Sequence, residues 1–239
     1  MEREPTPSVG RSETQSRWRR WHRHAFTREK ISRPVIHRFA REWATEERAL
    51  VLHPEEGIEF FPNRVVMSER AGDRPDIATD YRYRELGAIE SESFSVVVCM
   101  GLLEHIAEPE WFVGELHRIL KPGGRVLVAC SSCFSVHEGP DDYFHYTPYG
   151  LKVLFRAWSR FEVLRGSCGP FRTIGILLQR IHLQCELFPP LRPFVEVAFH
   201  LVPLLDRFVV RQYDAVGTSD PARVCDSMLP SNIHAVVVK

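Results

Sequence analysis

The chain has 239 residues, 44% of them apolar and 26% charged, with a formal net charge of zero. That length suits one elaborated domain or two small ones, and the balanced charge gives no case for nucleic acid as a partner. Six cysteines in a chain this long, behind an N-terminus with no apolar core, read as reduced thiols of a cytoplasmic protein and not as a secreted disulfide framework.

Residues 1–15 read as a disordered leader. Residues 16–46 read as a basic helical cap of one or two amphipathic helices, broken near Pro34, with Trp18, Trp21, Phe26, Ile31, Ile36 and Phe39 spaced among arginines. Within it, residues 17–41 hold nine Arg or Lys against one acid, Glu29. Two readings of this charge stay open: a surface that meets a phosphate-bearing acceptor such as a nucleotide-linked sugar, and a solvated helix face complementing an acidic body.

From residue 48 the pattern alternates between strand and helix. Strands are expected at 49–52, 64–68 and 76–79. The run "FSVVVCM" (94–100) is apolar but for Ser95, as a strand covered on both faces should be. Pro109 opens a helix over 109–120 with Phe112, Leu116, Ile119 and Leu120 on one stripe, and "KPGG" (121–124) stops it. A strand follows at 125–130, then a helix that Thr147-Pro148 starts by cap and first-turn chemistry, then a strand at 161–166. Residues 171–212 are apolar and proline-punctuated, as two or three helices would be. The greasy run 194–210 is too short and too interrupted to span a bilayer. "NIHAVVVK" (232–239) closes the chain as a strand. The expected fold is α/β: a Rossmann-like sheet of seven strands, mostly parallel, helices on both faces, the last strand antiparallel. The core is drawn as 47–170, with 171–231 a helical insertion or lid ahead of the final strand.

The stretch "FSVVVCMGLLEHIAEPEWFVGELHRILKPGGRVLVAC" (94–130), followed by "HEGPDDYFHYTPYGLKVLF" (137–155), resembles the class I S-adenosylmethionine-dependent methyltransferases. The order and spacing of the pieces carry the resemblance, which covers roughly a quarter of the chain. It implies the seven-strand order with the last strand between the fifth and sixth, S-adenosylmethionine as cofactor, and a small-molecule acceptor. The insertion 171–212 would then be a substrate lid or the contact of a homodimer.

The family's cofactor loop follows the first strand, which here reads "ALVLHPEEGIEFF" (49–61). His53 stands where the family has an acid, Glu55 where it has the first glycine, and Gly57 alone remains of the glycines that let a backbone approach a cofactor. Only a helix of two turns at most fits before the second strand. The resemblance further assigns Glu69 to the ribose hydroxyls, Asp80 to the adenine amino group, Tyr81 to the ring, and Met100 to the same pocket.

Methyl transfer to oxygen or nitrogen needs an aligned acceptor and often a base. His137 is the first candidate and His105 the second, with Asp142 orienting a histidine or a hydroxyl and Tyr143 and Tyr146 lining the acceptor pocket. His145 replaces an arginine common in the resembling subset. "CSSC" (130–133) lacks a second such pair, so no metal site is expected from it. A small hydroxyl-bearing acceptor, such as a sugar or a natural-product intermediate, is the expected substrate. A methyltransferase fold that has lost methyl transfer, or that runs another reaction in the same cleft, is the competing expectation.

Overall fold

A computed structural model of the chain describes residues 30–54, 57–80, 82–212 and 228–239. The expectations placed on the leader, on Trp18, Trp21 and Phe26, and on Glu55 and Tyr81 lie outside the described residues.

Seven strands form one sheet in the order β3-β2-β1-β4-β5-β7-β6. They are β1 (Ala49–Leu52), β2 (Arg64–Ser68), β3 (Ile77–Ala78), β4 (Phe94–Met100), β5 (Leu120–Ser131), β6 (Arg160–Gly166) and β7 (Asn232–Val238). The first five run parallel, and β7 inserts antiparallel between β5 and β6. This is the expected sheet.

Alternation along the strands feeds two separate cores. Leu50 and Leu52 of β1 join Val97, Cys99, Val126 and Val128 on one face, under Phe112, Val113 and Leu116 of helix α2 (Pro109–Ile119) and Leu151 of α3 (Pro148–Leu154). Ala49 and Val51 face the other way with Val96, Val98, Leu127 and Ala129, under Phe39 and Ala40 of α1 (Arg33–Glu42). Thr147 caps α3 as its chemistry dictates, its Oγ1 accepting the Gly150 amide at 3.0 Å.

Two local features, the third strand and "KPGG", depart from the sequence reading. Pro34 sits in the first turn of α1, and the segment before residue 30 lies outside the described residues. The third strand keeps only two residues, since its pairing with β2 is limited to Met67–Ile77 and Ser68–Ala78. "KPGG" belongs to β5: Leu120 already pairs beside Phe94, and the register shifts before Val96 meets Arg125. The crossover from β1 to β2, expected to hold two helical turns at most, has a 3-10 turn, Ile58–Phe60, among its described residues.

The insertion consists of α4 (Pro170–Gln184), α5 (Arg192–Leu201) and 3-10 turns at Pro189–Leu191 and Val202–Phe208. Asp206 from the last turn accepts the Phe171 and Arg172 amides at 2.8 and 3.0 Å, satisfying first-turn N–H groups of α4. Among the described residues no helix is long and apolar enough to cross a membrane, and Cys99, Cys130, Cys133, Cys168 and Cys185 are free thiols.

His234 of β7 stacks on Phe39 at 4.3 Å between ring centroids. Burial, helped by the nearby Arg165 charge, lowers its pKa from 6.5 to about 3. The unfolded chain takes up this proton below pH 6.5 and the folded chain does not. Its stabilising contribution is therefore whole above pH 6.5 and lost as the pH falls toward 3, on the order of 4 kcal/mol. His234→Phe keeps the stack and removes the titration. Urea unfolding at pH 7 and pH 4.5 should show a smaller loss of stability for the variant. An identical loss in both proteins would remove His234 as a cause.

Candidate active site

The carboxyl edge of the sheet carries two groups of polar side chains. The first lies beyond β1 and β2. These strands are parallel neighbours, with Leu52 opposite Met67, so the residues just past their ends are brought side by side. His53 is buried at a positive φ of 50°, and its Nδ1 lies 2.7 Å from Glu69 Oε1. A carboxylate oxygen only accepts, so Nδ1 is the donor. Tyr83 donates its hydroxyl to Glu69 Oε2 at 2.9 Å, and Arg70 Nε lies 3.4 Å from Oε1. Burial alone would raise the Glu69 pKa. The His53 hydrogen bond, a backbone hydrogen bond, the His53 charge and the Tyr83 hydroxyl outweigh it and bring the pKa down to about 2.

Gly57 has a packing role of its own. Its φ is +92°, and a Cβ there would stand 2.5 Å from the Ala40 Cβ. The missing side chain lets α1 close on this turn. Met100 is buried and, with Val51, Leu52, His53, Gly57, Ile58, Phe61 and Val98, lines a cavity of about 10 Å³, near the room one water needs. Asp80 is exposed and its Oδ1 accepts the Arg82 amide at 2.8 Å, closing a local turn.

Against an adenosyl cofactor, this half of the edge fits in its chemistry. Glu69 is an ionised carboxylate whose two oxygens retain lone pairs beyond the two hydrogen bonds described. It is 7% exposed and held in one orientation by His53 and Tyr83, and His53 in turn lines the small cavity with Val51, Val98 and Met100. As lined by the described residues, the cavity is too small for a nucleoside.

The second group lies beyond β4 and β5. A 3-10 turn, Leu103–His105, follows β4. Glu104 is 1% exposed, and its Oε1 accepts the Ser131 amide at 3.1 Å and the Ser131 hydroxyl at 2.7 Å. Its Oε2 is buried without a hydrogen-bond partner among the described residues. His105 is buried, and its Nδ1 donates to the Asp141 carbonyl at 2.8 Å. The rings of His105 and His137 meet edge to face at 4.8 Å between centroids. His137 Nδ1 lies 3.1 Å from the Ser135 carbonyl and 3.2 Å from Asp142 Oδ2, which also accepts the His137 amide at 2.8 Å. Both acceptors make Nδ1 the donor and leave the lone pair on Nε2. Burial lowers the His137 pKa, and His105 and Arg180 add to this while Asp142 and Glu104 oppose it, so the imidazole is held neutral.

His105, His137, Asp142 and His145 are thus brought together, His145 Nε2 lying 3.6 Å from Asp142 Oδ1. Tyr143 is turned outward, 46% exposed, its hydroxyl donating to Asp141 Oδ1 at 2.8 Å. Tyr146 is buried, and desolvation raises its pKa. Sequence reasoning passed over Glu104, Ser131, Tyr83 and Arg180. Glu104 stands beside His105 in the quoted "LEH", and a charged side chain directly after a buried strand was the available signal. Arg180 of α4 donates from Nε to Ser135 Oγ at 2.8 Å, and Gln184 donates to the Val136 carbonyl at 2.9 Å. The insertion therefore grips the loop that carries His137. Arg70 and Glu138 pair at 3.0 Å, tying that loop to the Glu69 side.

Residues 41–128 match the family model described as a methyltransferase domain. A ubiquinone biosynthesis O-methyltransferase of Xanthomonas oryzae pv. oryzae is 32% identical over 75 residues, 30% of this chain and 31% of that protein. Another, of Hahella chejuensis, is 28% identical over 114 residues, 44% of this chain and 46% of that protein. The chain thus spans less than half the length of these curated relatives. A solved SAM-dependent methyltransferase from Archaeoglobus fulgidus superposes on 87% of this chain and 95% of its own, with a TM-score of 0.52 and 11% identity. The family match covers residues 41–128, and the strand order and the superposition give the whole sheet the fold of that solved methyltransferase.

Proposed function

We propose that this chain is a class I methyltransferase that transfers a methyl group from S-adenosylmethionine to a hydroxyl of a small acceptor. One observation carries the reading: an ionised carboxylate, Glu69, and a neutral imidazole, His137, stand past the carboxyl ends of β2 and β5 in one sheet, the edge at which open α/β sheets bind ligands. Glu69 holds the ribose hydroxyls, and His53 and Tyr83 fix its orientation. Val51, Val98 and Met100 pack the nucleoside. The bound cofactor supplies an electrophilic methyl on a sulfonium. The chain's own part is to hold the acceptor in line and to take its proton.

His137 takes that proton on Nε2. Asp142 and the Ser135 carbonyl hold Nδ1–H, which fixes the tautomer and favours the imidazolium as it forms. The names of the curated relatives favour an oxygen acceptor, and a sugar or natural-product hydroxyl remains the class proposed. The arginine-rich composition of segment 17–41 supports a phosphate-bearing acceptor; its residues 17–29 lie outside the described residues. Apolar side chains exposed on the insertion, Phe194, Leu201 and Phe208 among them, support a self-contact through 171–212.

A second reading has its own observation. Glu69 already accepts from His53 and Tyr83, and the adjoining cavity holds about 10 Å³. A fold that has given up methyl transfer would have this filled look. Calorimetric titration with S-adenosylmethionine and S-adenosylhomocysteine separates the two. Micromolar binding is expected, and its absence in a protein shown to be folded would leave the second reading standing.

A further inference from the structure

Glu104, His105 and His137 each offer one ligand atom, and these atoms lie within 4.8 Å of one another. They come from two places in the chain, the 3-10 turn after β4 and the loop after β5, which meet because β4 and β5 are paired. We propose that these three side chains form a binding site for a divalent first-row transition cation, of which zinc is the representative.

The donor set and its supports argue for this. Two imidazoles and a carboxylate suit zinc and its neighbours over magnesium, which prefers oxygen ligands alone. Metal-binding histidines present one ring nitrogen to the ion while the other donates to a carbonyl or carboxylate. Both histidines here have that arrangement: His105 Nδ1 donates to the Asp141 carbonyl, and His137 Nδ1 to the Ser135 carbonyl beside Asp142 Oδ2. In each ring the lone pair is therefore on Nε2.

Glu104 gives an independent sign. Its side chain is 1% exposed, Ser131 holds one carboxylate oxygen from both backbone and hydroxyl, and the other oxygen is buried with no hydrogen-bond partner among the described residues. An unpartnered buried carboxylate oxygen is costly, and a cation beside it removes the cost. A tetrahedral zinc site spaces its ligand atoms about 3.3 Å apart, so side-chain shifts of about an ångström close the cluster. Cys130 and Cys133 are not among the three ligands.

Zinc on Nε2 of His137 takes the lone pair that proton abstraction uses. The metal-loaded and base-competent states therefore exclude each other, and the metal site does not depend on methyl transfer being the activity. The test reads binding alone. Full-length protein, stripped by chelator dialysis, is titrated with zinc against a chromophoric competitor, and with cobalt(II) followed by its visible spectrum. One equivalent is expected to bind, with a cobalt spectrum of nitrogen and oxygen ligation and no thiolate charge-transfer band.

His137→Ala and Glu104→Gln, each checked for folding by circular dichroism, should weaken zinc by about 100-fold or more. Asp142→Asn, which acts through His137, should weaken it roughly 10- to 100-fold. Should one variant fail to fold, the other and His105→Ala supply the same comparison. The proposal is overturned by no binding to the folded parent, by a thiolate band, or by affinity indifferent to these substitutions, which would mark an adventitious ion only.

Discussion

His137→Gln should lower kcat by roughly 10²- to 10⁴-fold, the range that removal of a general base produces, while leaving the affinity for S-adenosylhomocysteine unchanged. The glutamine amide can still reach a hydrogen-bond partner, but it cannot carry a proton away. The loop should survive the change. Asp142 Oδ2 is held by the His137 backbone amide at 2.8 Å as well as by the ring, and Arg180 and Gln184 grip the loop from α4. Assays belong in chelator, so that a bound ion does not mask the imidazole. Asp142→Asn should reduce kcat less, since it leaves the Nε2 lone pair in place and only loosens the ring's orientation. A His137→Gln protein with full kcat would pass the base role to another group. One that loses cofactor affinity in parallel would make His137 a strut of the cleft.

The parts of the fold legible in the sequence are those where one local signal suffices. The apolar run 94–100 can only be a strand covered on both faces, and Pro109 and Thr147-Pro148 mark helix starts by chemistry that needs no distant partner. β3 and "KPGG" were misread because their state depends on pairing: two residues of β3 find β2, and Leu120 finds Phe94 across the sheet. The site divides in the same way. His105, His137 and Asp142 were legible as polar residues beyond strand ends. The His53–Glu69 pair was not, because it joins residues sixteen apart through the parallel register of β1 and β2. Nor was the support of the His137 loop by Arg180, which requires the insertion to fold back on the core. Gly57 is the sharpest case. The family pattern reads it as the last glycine of a cofactor loop, and only the structure shows a packing reason for its absent side chain, the Ala40 Cβ of α1.

Glu69→Gln should weaken S-adenosylhomocysteine roughly 10- to 100-fold, the loss expected when hydrogen bonds to a buried charge become bonds to a neutral amide. The substitution keeps size and shape, so the change reports charge. At physiological pH the native carboxylate is fully ionised. Its pKa of about 2 also gives the sign of its stability term: present above the unfolded value of 4.5 and lost as the pH falls through 2. Binding by the parent should therefore hold from pH 7 down to pH 5 as far as this group is concerned. Tyr83→Phe is the companion. It removes the donor at 2.9 Å from Oε2 but leaves the charge, so it should change affinity less than Glu69→Gln. Thermal unfolding of both variants separates two roles for the carboxylate. If Glu69→Gln lowers Tm while binding S-adenosylhomocysteine like the parent, Glu69 is an internal anchor for His53 and Tyr83, and the ribose is held elsewhere. If affinity falls and Tm holds, the buried pair with His53 is a way of aiming one carboxylate at a ligand.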